Sequence, residues 1–257
     1  MHCRFRESGQ ITGSFTDRLK KLNMNIKDAK VLITGGSTGI GYEIAHQLKL
    51  AGATVTICGR NAESLFKAAT ELGVHRIQAD VSVEADAIRC TREACEMMGG
   101  LNVLINNAGY GFFSSLENLD IKKMDDLMAT NVRGLVLMGK EAARIFVGQE
   151  NGNIINISST AGLSGFSGGT AYVASKFAVK GITECWRAEL RKHNIRVMLI
   201  NPSEVQTNFV LNAGLDERAY NPTKLEAGEI AHVAISMLEM RDVGFITEAT
   251  VFATNPK

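Results

Sequence analysis

Short apolar runs alternate along the chain with longer segments of helical periodicity, from residue 30 onward. The apolar runs predict strands over residues 30–34, 54–58, 74–79, 101–106, 153–157, 196–200 and 244–252. The segments between them predict helices over residues 40–50, 62–72, 84–98, 121–146, 171–192 and 225–238. Strand and helix therefore alternate through most of the sequence.

The predicted strands are continuously apolar, as in the runs VLI and VMLI, and do not alternate with polar positions. Strands buried on both faces have this composition, which is typical of a parallel sheet covered by helices. The pattern predicts an α/β fold of the Rossmann type: a doubly wound, mostly parallel seven-stranded sheet with helices on both faces. No linker, repeat or low-complexity segment divides the chain, so we expect a single domain over residues 24–257.

Residues 1–23 do not share this pattern. They are polar and of mixed charge, and they contain no apolar segment of the kind found in signal peptides. Met24 stands just before the first strand-like segment. We expect residues 1–23 to be a poorly ordered polar extension or an artefact of the chosen start.

Charge and cysteine content narrow the classes of function. The 257 residues include 28 Lys and Arg against 27 Asp and Glu, a net charge of +1, so charge gives no reason to expect nucleic acid or a membrane surface as a partner. No apolar run reaches the ~18 residues of a membrane-spanning helix. The 5 cysteines show no metal-ligand spacing. We therefore expect free thiols, no metal site and a cytoplasmic location.

A glycine-rich turn follows the first predicted strand and reads TGGSTGIG over residues 34–41. Glycines at such a turn allow backbone N–H groups to approach a pyrophosphate at the start of the next helix. The spacing is GxxxGxG, and the lysine of a nucleotide triphosphate-binding loop is absent. The turn indicates a dinucleotide site, with an ordinary strand–helix turn as the alternative.

Arg60 follows the second predicted strand, and residues 58–60 include no acid. A carboxylate here would bind the ribose 2′-hydroxyl of NAD, whereas an arginine accepts the 2′-phosphate of NADP. The residue therefore favours NADP(H), unless it is only a solvated surface arginine. Asp80, after the third strand, is a candidate for binding adenine or for capping the next helix. Asn106 and Asn107, after the fourth, suit ligand binding or tying of strand ends.

A serine and a tyrosine–lysine pair follow the fifth predicted strand. Ser159 ends the strand region, and Tyr172 and Lys176 are separated by four positions on one face of the next helix. A free tyrosine titrates near ~10, too high for acid–base work at neutral pH. A neighbouring ammonium and an oxidised nicotinamide would both lower its pKa. The Ser159 hydroxyl would hold a substrate oxygen while Tyr172 transfers the proton.

Five motifs stand in order along the chain: TGGSTGIG at 34–41, NNAG at 106–109, NVRG at 131–134, ISS at 157–159 and YVASK at 172–176. On these motifs the sequence resembles the short-chain dehydrogenase/reductase family in its single-domain form, from residue 26 to residue 257. It is similar to 3-oxoacyl-(acyl carrier protein) reductase-like members.

The resemblance implies a site. Tyr172 matches the general acid/base, and Lys176 matches the residue that binds the nicotinamide ribose and lowers the tyrosine pKa. The family's spacing selects Ser159 over Ser158, and Asn131 matches the asparagine that holds a water in the proton relay. The implied cofactor-binding residues are Gly35, Ser37, Gly39, Ile40, Gly41, Arg60, Asp80, Asn107, Tyr172, Lys176 and Thr207.

Three positions depart from the family's pattern. The usual Pro-Gly after the sixth strand reads Pro202-Ser203, and Thr38 stands where many NADP-specific members carry a basic residue. The segment 208–224, which matches the family's substrate loop, is short. The resemblance therefore implies a comparatively open substrate site.

These observations predict an NADP(H)-dependent oxidoreductase acting on a carbonyl or secondary alcohol, with a 3-oxoacyl thioester as the first substrate candidate. The alternatives are a dehydrogenase of a steroid, sugar or other secondary alcohol, and a catalytically silent NADP-binding sensor or scaffold. Phe112, Phe113, Phe166 and Phe209 suggest an apolar substrate pocket, although core packing explains them equally well. The resemblance also implies a homodimer or homotetramer that packs through the helices over residues 121–146 and 171–192.

Overall fold

The computed structural model describes residues 24–207, 209, 213 and 219–255. The extension predicted over residues 1–23 lies outside the described residues, and so does most of the substrate-loop match between residues 208 and 218.

Seven strands form one sheet. They are β1 (Lys30–Thr34), β2 (Thr54–Gly59), β3 (His75–Gln78), β4 (Val103–Asn106), β5 (Gly152–Ile157), β6 (Ile195–Pro202) and β7 (Glu248–Val251). Their order in the sheet is β3-β2-β1-β4-β5-β6-β7, and every neighbouring pair is parallel. The predicted Rossmann-type fold is confirmed, and the sheet is parallel throughout. The strand order reverses between β1 and β4, which places a crevice at their carboxyl ends.

Helices cover both faces of the sheet. They are α1 (Gly39–Leu50), α2 (Ala62–Leu72), α3 (Glu84–Met98), α4 (Ile121–Met128), α5 (Leu135–Gln149), α6 (Thr170–Leu190) and α7 (Ala227–Glu239). One apolar cluster joins α1, α2 and α7 to Val31 and Ile33 of β1. A second joins α3 and α5 to Leu32 of the same strand. Successive strand residues point to opposite faces, so a continuously apolar strand has a core on each side.

The predicted helix over residues 121–146 is divided in the structure. A π-helical turn at Ala129–Gly134 separates α4 from α5. Gly134 packs closely against the loop that follows β3, since a Cβ on Gly134 would lie 2.7 Å from Val81 Cγ2. The predicted final strand is also shorter than expected, covering only Glu248–Val251 of residues 244–252. The π-helical turn contains Asn131, one of the predicted site residues.

At the amino-terminal ends of the strands, turns connect each helix to the strand that follows it. Two of these turns use non-glycine residues in the left-handed region, Glu150 at φ 54° before β5 and Asn194 at φ 56° before β6. Neither residue lines the cavity described below. These two turns therefore lie away from the cavity, which is lined by residues that follow the strands.

Candidate active site

A cavity of about 1370 Å³ lies at the carboxyl edge of the sheet. Residues that follow each of the seven strands line it, including Gly35, Arg60, Ala79, Asn107, Ser158, Ser203 and Phe252. This is the position at which open parallel sheets bind their ligands. The cavity extends from Arg60 and Ser64, after β2, to Tyr172 on α6.

The glycine-rich turn forms part of the cavity wall. Gly35 has φ +65° and Gly39 has φ +58°, conformations that residues with side chains rarely adopt. A Cβ at Gly35 would lie 2.9 Å from Ala108 Cα, so this turn packs directly on the segment after β4. The turn leads into the amino terminus of α1, where unpaired N–H groups favour an anion.

Asn107 and Thr34 tie the ends of β1 and β4 together. The Asn107 amide donates to the carbonyl oxygens of Thr34 and Gly35, both at 3.0 Å. The Thr34 hydroxyl accepts from the backbone N–H groups of Asn107 and Ala108, also at 3.0 Å. Thr34 was not among the predicted site residues. Its place at the last position of β1 is the one sequence signal that could have indicated it.

Arg60 and Asp80 follow β2 and β3. Arg60 is exposed and lines the cavity, as the predicted cofactor role requires. Asp80 does not line it. One Asp80 carboxylate oxygen accepts from the N–H of Ser82 at 2.9 Å and from its hydroxyl at 2.7 Å. Asp80 therefore holds the turn before α3, whose N-cap is Val83, and does not cap that helix itself.

Ser159, Tyr172 and Lys176 converge at one end of the cavity. Ser159 and Tyr172 share a side-chain hydrogen bond. The ammonium of Lys176 lies 5.6 Å from the centre of the Tyr172 ring and donates to the carbonyl oxygen of Ile157 at 3.1 Å. Tyr172 and Lys176 are both buried, with 8% and 7% of their surface exposed. The predicted serine, tyrosine and lysine are thus brought together.

The pKa of Tyr172 does not follow the sequence-based expectation in the protein alone. Burial raises the pKa of Tyr172 to about 12, and the hydrogen bond with Ser159 only partly opposes this. Burial also lowers the pKa of Lys176 to about 8. The sequence predicts that the Lys176 ammonium and an oxidised nicotinamide together lower the tyrosine pKa, whereas in the protein without a nicotinamide the desolvation of the phenolate raises it. Tyr172 is therefore a neutral hydroxyl at neutral pH, able to donate a proton.

Asn131 lies beneath the cavity and does not line it. Its amide group donates to the Tyr110 carbonyl at 2.9 Å and to the Ser175 hydroxyl at 3.1 Å, and its oxygen accepts from the Tyr110 N–H at 3.0 Å. Ser175 in turn donates to the Tyr172 carbonyl at 2.7 Å. Asn131 thus links the π-helical turn, the segment after β4 and α6. Ser175, which completes this link, was not predicted from the sequence.

Three phenylalanines line the cavity beside Tyr172: Phe113, Phe166 and Phe209. We call them the aromatic wall. The ring centres of Phe113 and Phe209 each lie 5.5 Å from that of Tyr172, and Phe166 lies 6.0 Å from Phe113. Phe112, the fourth candidate, does not line the cavity and instead packs beneath the ammonium of Lys123.

Most of the predicted site residues line this one cavity. They are Gly35, Ser37, Gly39, Ile40, Arg60, Asn107, Ser159, Tyr172, Lys176 and Thr207. Gly41 is absent from the lining because it packs under the Asn107 amide, which leaves no space for a Cβ. Thr207 lies beside Gly39, since a Cβ on Gly39 would lie 3.3 Å from the Cβ of Thr207.

The cavity fits a dinucleotide. Its volume exceeds the roughly 300–1,000 Å³ of sites for drug-sized ligands, so a dinucleotide and a small substrate can share it. The left-handed glycines, the helix amino terminus and the exposed Arg60 occupy positions suited to phosphate groups. Among the described residues, no group of three or more His, Cys, Asp or Glu is arranged to hold a metal ion.

Comparison with known proteins agrees with the fold. The profile of the short chain dehydrogenase family matches residues 29–218. An uncharacterised oxidoreductase of Staphylococcus aureus is 31% identical over 232 residues, which are 88% of this chain and 97% of the relative. Dehydrogenase/reductase SDR family member 7B of Bos taurus is 31% identical over 204 residues, and the matched part covers 75% of this chain but 63% of that protein.

Solved structures give the same result. Serine dehydrogenase complexed with NADP⁺ superposes with a TM-score of 0.81 and 27% identity, over 86% of this chain and 93% of that one. The 3-ketoacyl-(acyl-carrier-protein) reductase from Brucella melitensis, complexed with NADH, has a TM-score of 0.81 and 25% identity, over 87% and 96%. The chain belongs to the short-chain dehydrogenase/reductase family. It is an oxidoreductase of that family, whose members bind a nicotinamide cofactor.

The helices of the described part of the chain include none that is long and apolar enough to cross a bilayer.

Proposed function

We propose that the protein transfers hydride between NADP(H) and a carbonyl compound or secondary alcohol, and that reduction is the favoured direction. The observation that carries this proposal is the convergence of Ser159, Tyr172 and Lys176 on one end of a cavity whose other end contains Arg60. A bound reduced nicotinamide supplies the hydride.

Tyr172 is the general acid in this proposal. Because burial raises the pKa of Tyr172 to about 12, its hydroxyl is protonated at neutral pH. In reduction the carbonyl carbon gains a hydride and the oxygen gains the Tyr172 proton, so the product is a secondary alcohol and the tyrosine is reprotonated from solvent. Ser159, hydrogen-bonded to Tyr172, would hold the same carbonyl oxygen.

Lys176 and Asn131 support the acid. The Lys176 ammonium would bind the nicotinamide ribose and stabilise a transient phenolate, since a positive charge nearby favours the ionised form. Asn131 would hold a water in the proton relay, as the resemblance implies, and its hydrogen bond to Ser175 ties it to α6. We assign the cofactor to the lining residues Gly35, Ser37, Gly39, Ile40, Arg60, Asn107, Tyr172, Lys176 and Thr207. Gly41 and Asp80, which do not line the cavity, would support the site from behind, Gly41 by packing under the Asn107 amide and Asp80 by holding the turn after β3.

A 3-oxoacyl thioester is the first substrate candidate. It is supported by the similarity to a 3-ketoacyl-(acyl-carrier-protein) reductase. The preference for NADP(H) is supported by Arg60, which is exposed at the end of β2, and by the absence of an acid over residues 58–60.

The test is the oxidation of NADPH and of NADH with an acetoacetyl thioester, for the wild type and Tyr172→Phe. We expect turnover that prefers NADPH, and a loss of about 10²–10⁴-fold in kcat for the variant, the usual contribution of a general acid. Tyr42→Phe is the matched control, because the Tyr42 hydroxyl bonds Glu71 on the outside of the molecule at 3.3 Å.

Three results would revise the proposal in different places. A preference for NADH would remove the role of Arg60 and leave the mechanism unchanged. Full activity of Tyr172→Phe would remove the mechanism. Turnover of other ketones but not of the thioester would remove the substrate candidate alone.

A further inference from the structure

The aromatic wall is held in place by glycines. A Cβ at Gly111 would lie 2.8 Å from the Phe209 ring and 2.9 Å from the Phe113 ring. A Cβ at Gly169 would lie 2.9 Å from the Phe166 ring. Each ring therefore packs directly against backbone where a side chain would displace it. The three rings are therefore packed on glycine backbone, although Phe166 also exposes half of its surface.

The wall presents apolar surface to the cavity. Phe166 is 52% exposed, and Leu163, which also lines the cavity, is 38% exposed. Phe113 and Phe209 are only partly buried, although both pack on the buried Tyr172. When an apolar ligand covers this surface, the apolar area of both is removed from water and the free energy of the complex falls. The wall therefore favours binding of an apolar group beside the Tyr172 hydroxyl.

Charge is arranged differently from apolar surface in this cavity. Among the described lining residues, the charged side chains are those of Arg60, Lys176 and Glu204. Arg60 follows β2, away from the wall, and the buried Lys176 ammonium donates to Ile157. Glu204 forms an ion pair with Lys224 at 2.9 Å. A carboxylate placed against the wall would lose its hydration and gain no cation from these residues.

We propose that the aromatic wall selects a carbonyl substrate that carries a bulky, uncharged apolar group, aromatic or branched, on one side of the carbonyl. This inference rests on the proposed hydride transfer and not on the thioester candidate, and it specifies the group that lies beside the reacting carbonyl. The apolar group packs against Phe113, Phe166 and Phe209 while the carbonyl oxygen faces Ser159 and Tyr172. The ketone is reduced to a secondary alcohol by hydride from NADPH and a proton from Tyr172, and NADP⁺ is released.

Two methyl ketones of the same chain length test the selection. Benzylacetone ends in a phenyl ring where levulinate ends in a carboxylate, and the reacting carbonyl is the same. With NADPH we expect kcat/KM for benzylacetone to exceed that for levulinate by at least about 100-fold, because levulinate would desolvate a charge. Comparable values for the two ketones, both lost in Tyr172→Phe, would overturn the selection and leave the proposed function intact.

The Phe166→Ala variant tests whether the aromatic wall causes the preference for benzylacetone over levulinate. We expect it to raise KM for benzylacetone about fivefold, since part of a ring contact is lost, and to leave levulinate within about twofold. Phe66→Ala is the matched control, because Phe66 lies on α2 outside the cavity and is 54% exposed, almost as exposed as Phe166. An equal effect of the two variants on benzylacetone would contradict a role for the wall.

A binding measurement separates this inference from failure of the chemistry. In saturation-transfer NMR with NADP⁺ present, the phenyl protons of benzylacetone should receive saturation from the wild type and much less from Phe166→Ala. This signal needs no turnover, so it remains informative if the proposed function fails. No signal with the wild type would overturn the inference even if other carbonyl compounds were reduced.

Discussion

Burial moves the two titratable side chains of the candidate site in opposite directions. The pKa of Tyr172 rises to about 12 and that of Lys176 falls to about 8, and both shifts favour the uncharged form. Tyr172 thus keeps its proton at neutral pH, as its proposed role of general acid requires. Lys176 stays mostly charged at pH 7 and loses its proton just above physiological pH. The chemistry and the stability of the protein are therefore linked through one lysine.

Lys176→Met should change the pH dependence of stability. The folded pKa of Lys176, about 8, lies below its ordinary value of 10.5, so below pH 8 the folded protein holds a buried charge that costs stability. The stability of the wild type should rise relative to the variant as pH increases from 8 towards 10.5. Melting temperatures of both proteins without cofactor, at pH 7 and pH 9.5, measure this difference.

The same series has a built-in control. Lys140→Met removes an exposed lysine that pairs with Glu84 at 3.3 Å, so its melting temperature should follow that of the wild type at both pH values. If the difference between Lys176→Met and the wild type were the same at pH 7 and pH 9.5, the lowered pKa of Lys176 would be incorrect.

Residue roles were predictable from sequence only where a motif fixed them. The motifs identified Ser159, Tyr172 and Lys176, which the structure brings together in one cavity. They did not single out Thr34 or Ser175, although both stand inside the motifs at 34–41 and 172–176, because the bonds that their hydroxyls make with Asn107 and Tyr172 form only in the folded chain. The aromatic wall comes from three separate segments, and only the folded chain shows that Phe113, Phe166 and Phe209 meet while Phe112 does not.

Arg196 connects three elements inside the molecule. Its side chain, 7% exposed, donates from Nε to the Asn153 side chain of β5 at 2.6 Å. It also donates to the carbonyl oxygens of Leu238 at 3.1 Å and Met240 at 2.8 Å, at the end of α7. These are carbonyl groups that have no partner within their own helix. A single arginine therefore joins β6 to β5 and to α7.

Arg196→Met should lower the free energy of unfolding by ~2–4 kcal/mol, because two buried acceptors, on Asn153 and Leu238, and the partly buried carbonyl oxygen of Met240 lose their donor. Arg92→Met, at a position 64% exposed with a long ion pair of 3.9 Å to Glu96, should change it by less than ~0.5 kcal/mol. Urea unfolding followed by circular dichroism measures both. Equal stability of the two variants would show that Arg196 is not a structural connection.

Most elements were predictable because strand and helix periodicities differ, and the exceptions have physical causes. The π-helical turn at Ala129–Gly134 keeps the chain helical, so the apolar pattern on either side reads as one helix over residues 121–146. β7 is an edge strand with only partly buried residues, and the apolar run over 244–252 extends beyond the part that pairs with β6. The length of β7 depends on which residues pair with β6, so the local sequence alone does not predict where the strand begins and ends.

At the scale of the molecule, we propose that residues 24–257 act as one domain and associate as a homodimer or homotetramer. Large apolar side chains remain exposed on the helices predicted to form the interface, including Ile121 on α4 at 63% and Phe177 on α6 at 45%. A second copy of the chain would bury such side chains.

Light scattering at micromolar concentration should therefore give the mass of two or four chains. Phe177→Glu should shift the protein towards the monomer, since a carboxylate would be buried in the interface. Phe66→Glu is the control for an effect of charge alone, because it adds the same charge at a phenylalanine that is 54% exposed on α2, outside the predicted interface helices. A monomer for the wild type would remove the proposed assembly.

The candidate site is built at the carboxyl ends of the strands, from the loops that follow them, from α6 and from the π-helical turn, whereas the turns that precede β5 and β6, with Glu150 and Asn194, lie at the opposite edge. A fluorophore attached at that opposite edge would therefore lie outside the cavity. Glu150 itself is a poor attachment point, because its side chain bonds His193 at 2.7 Å and its carbonyl oxygen accepts from Asn194 at 3.4 Å.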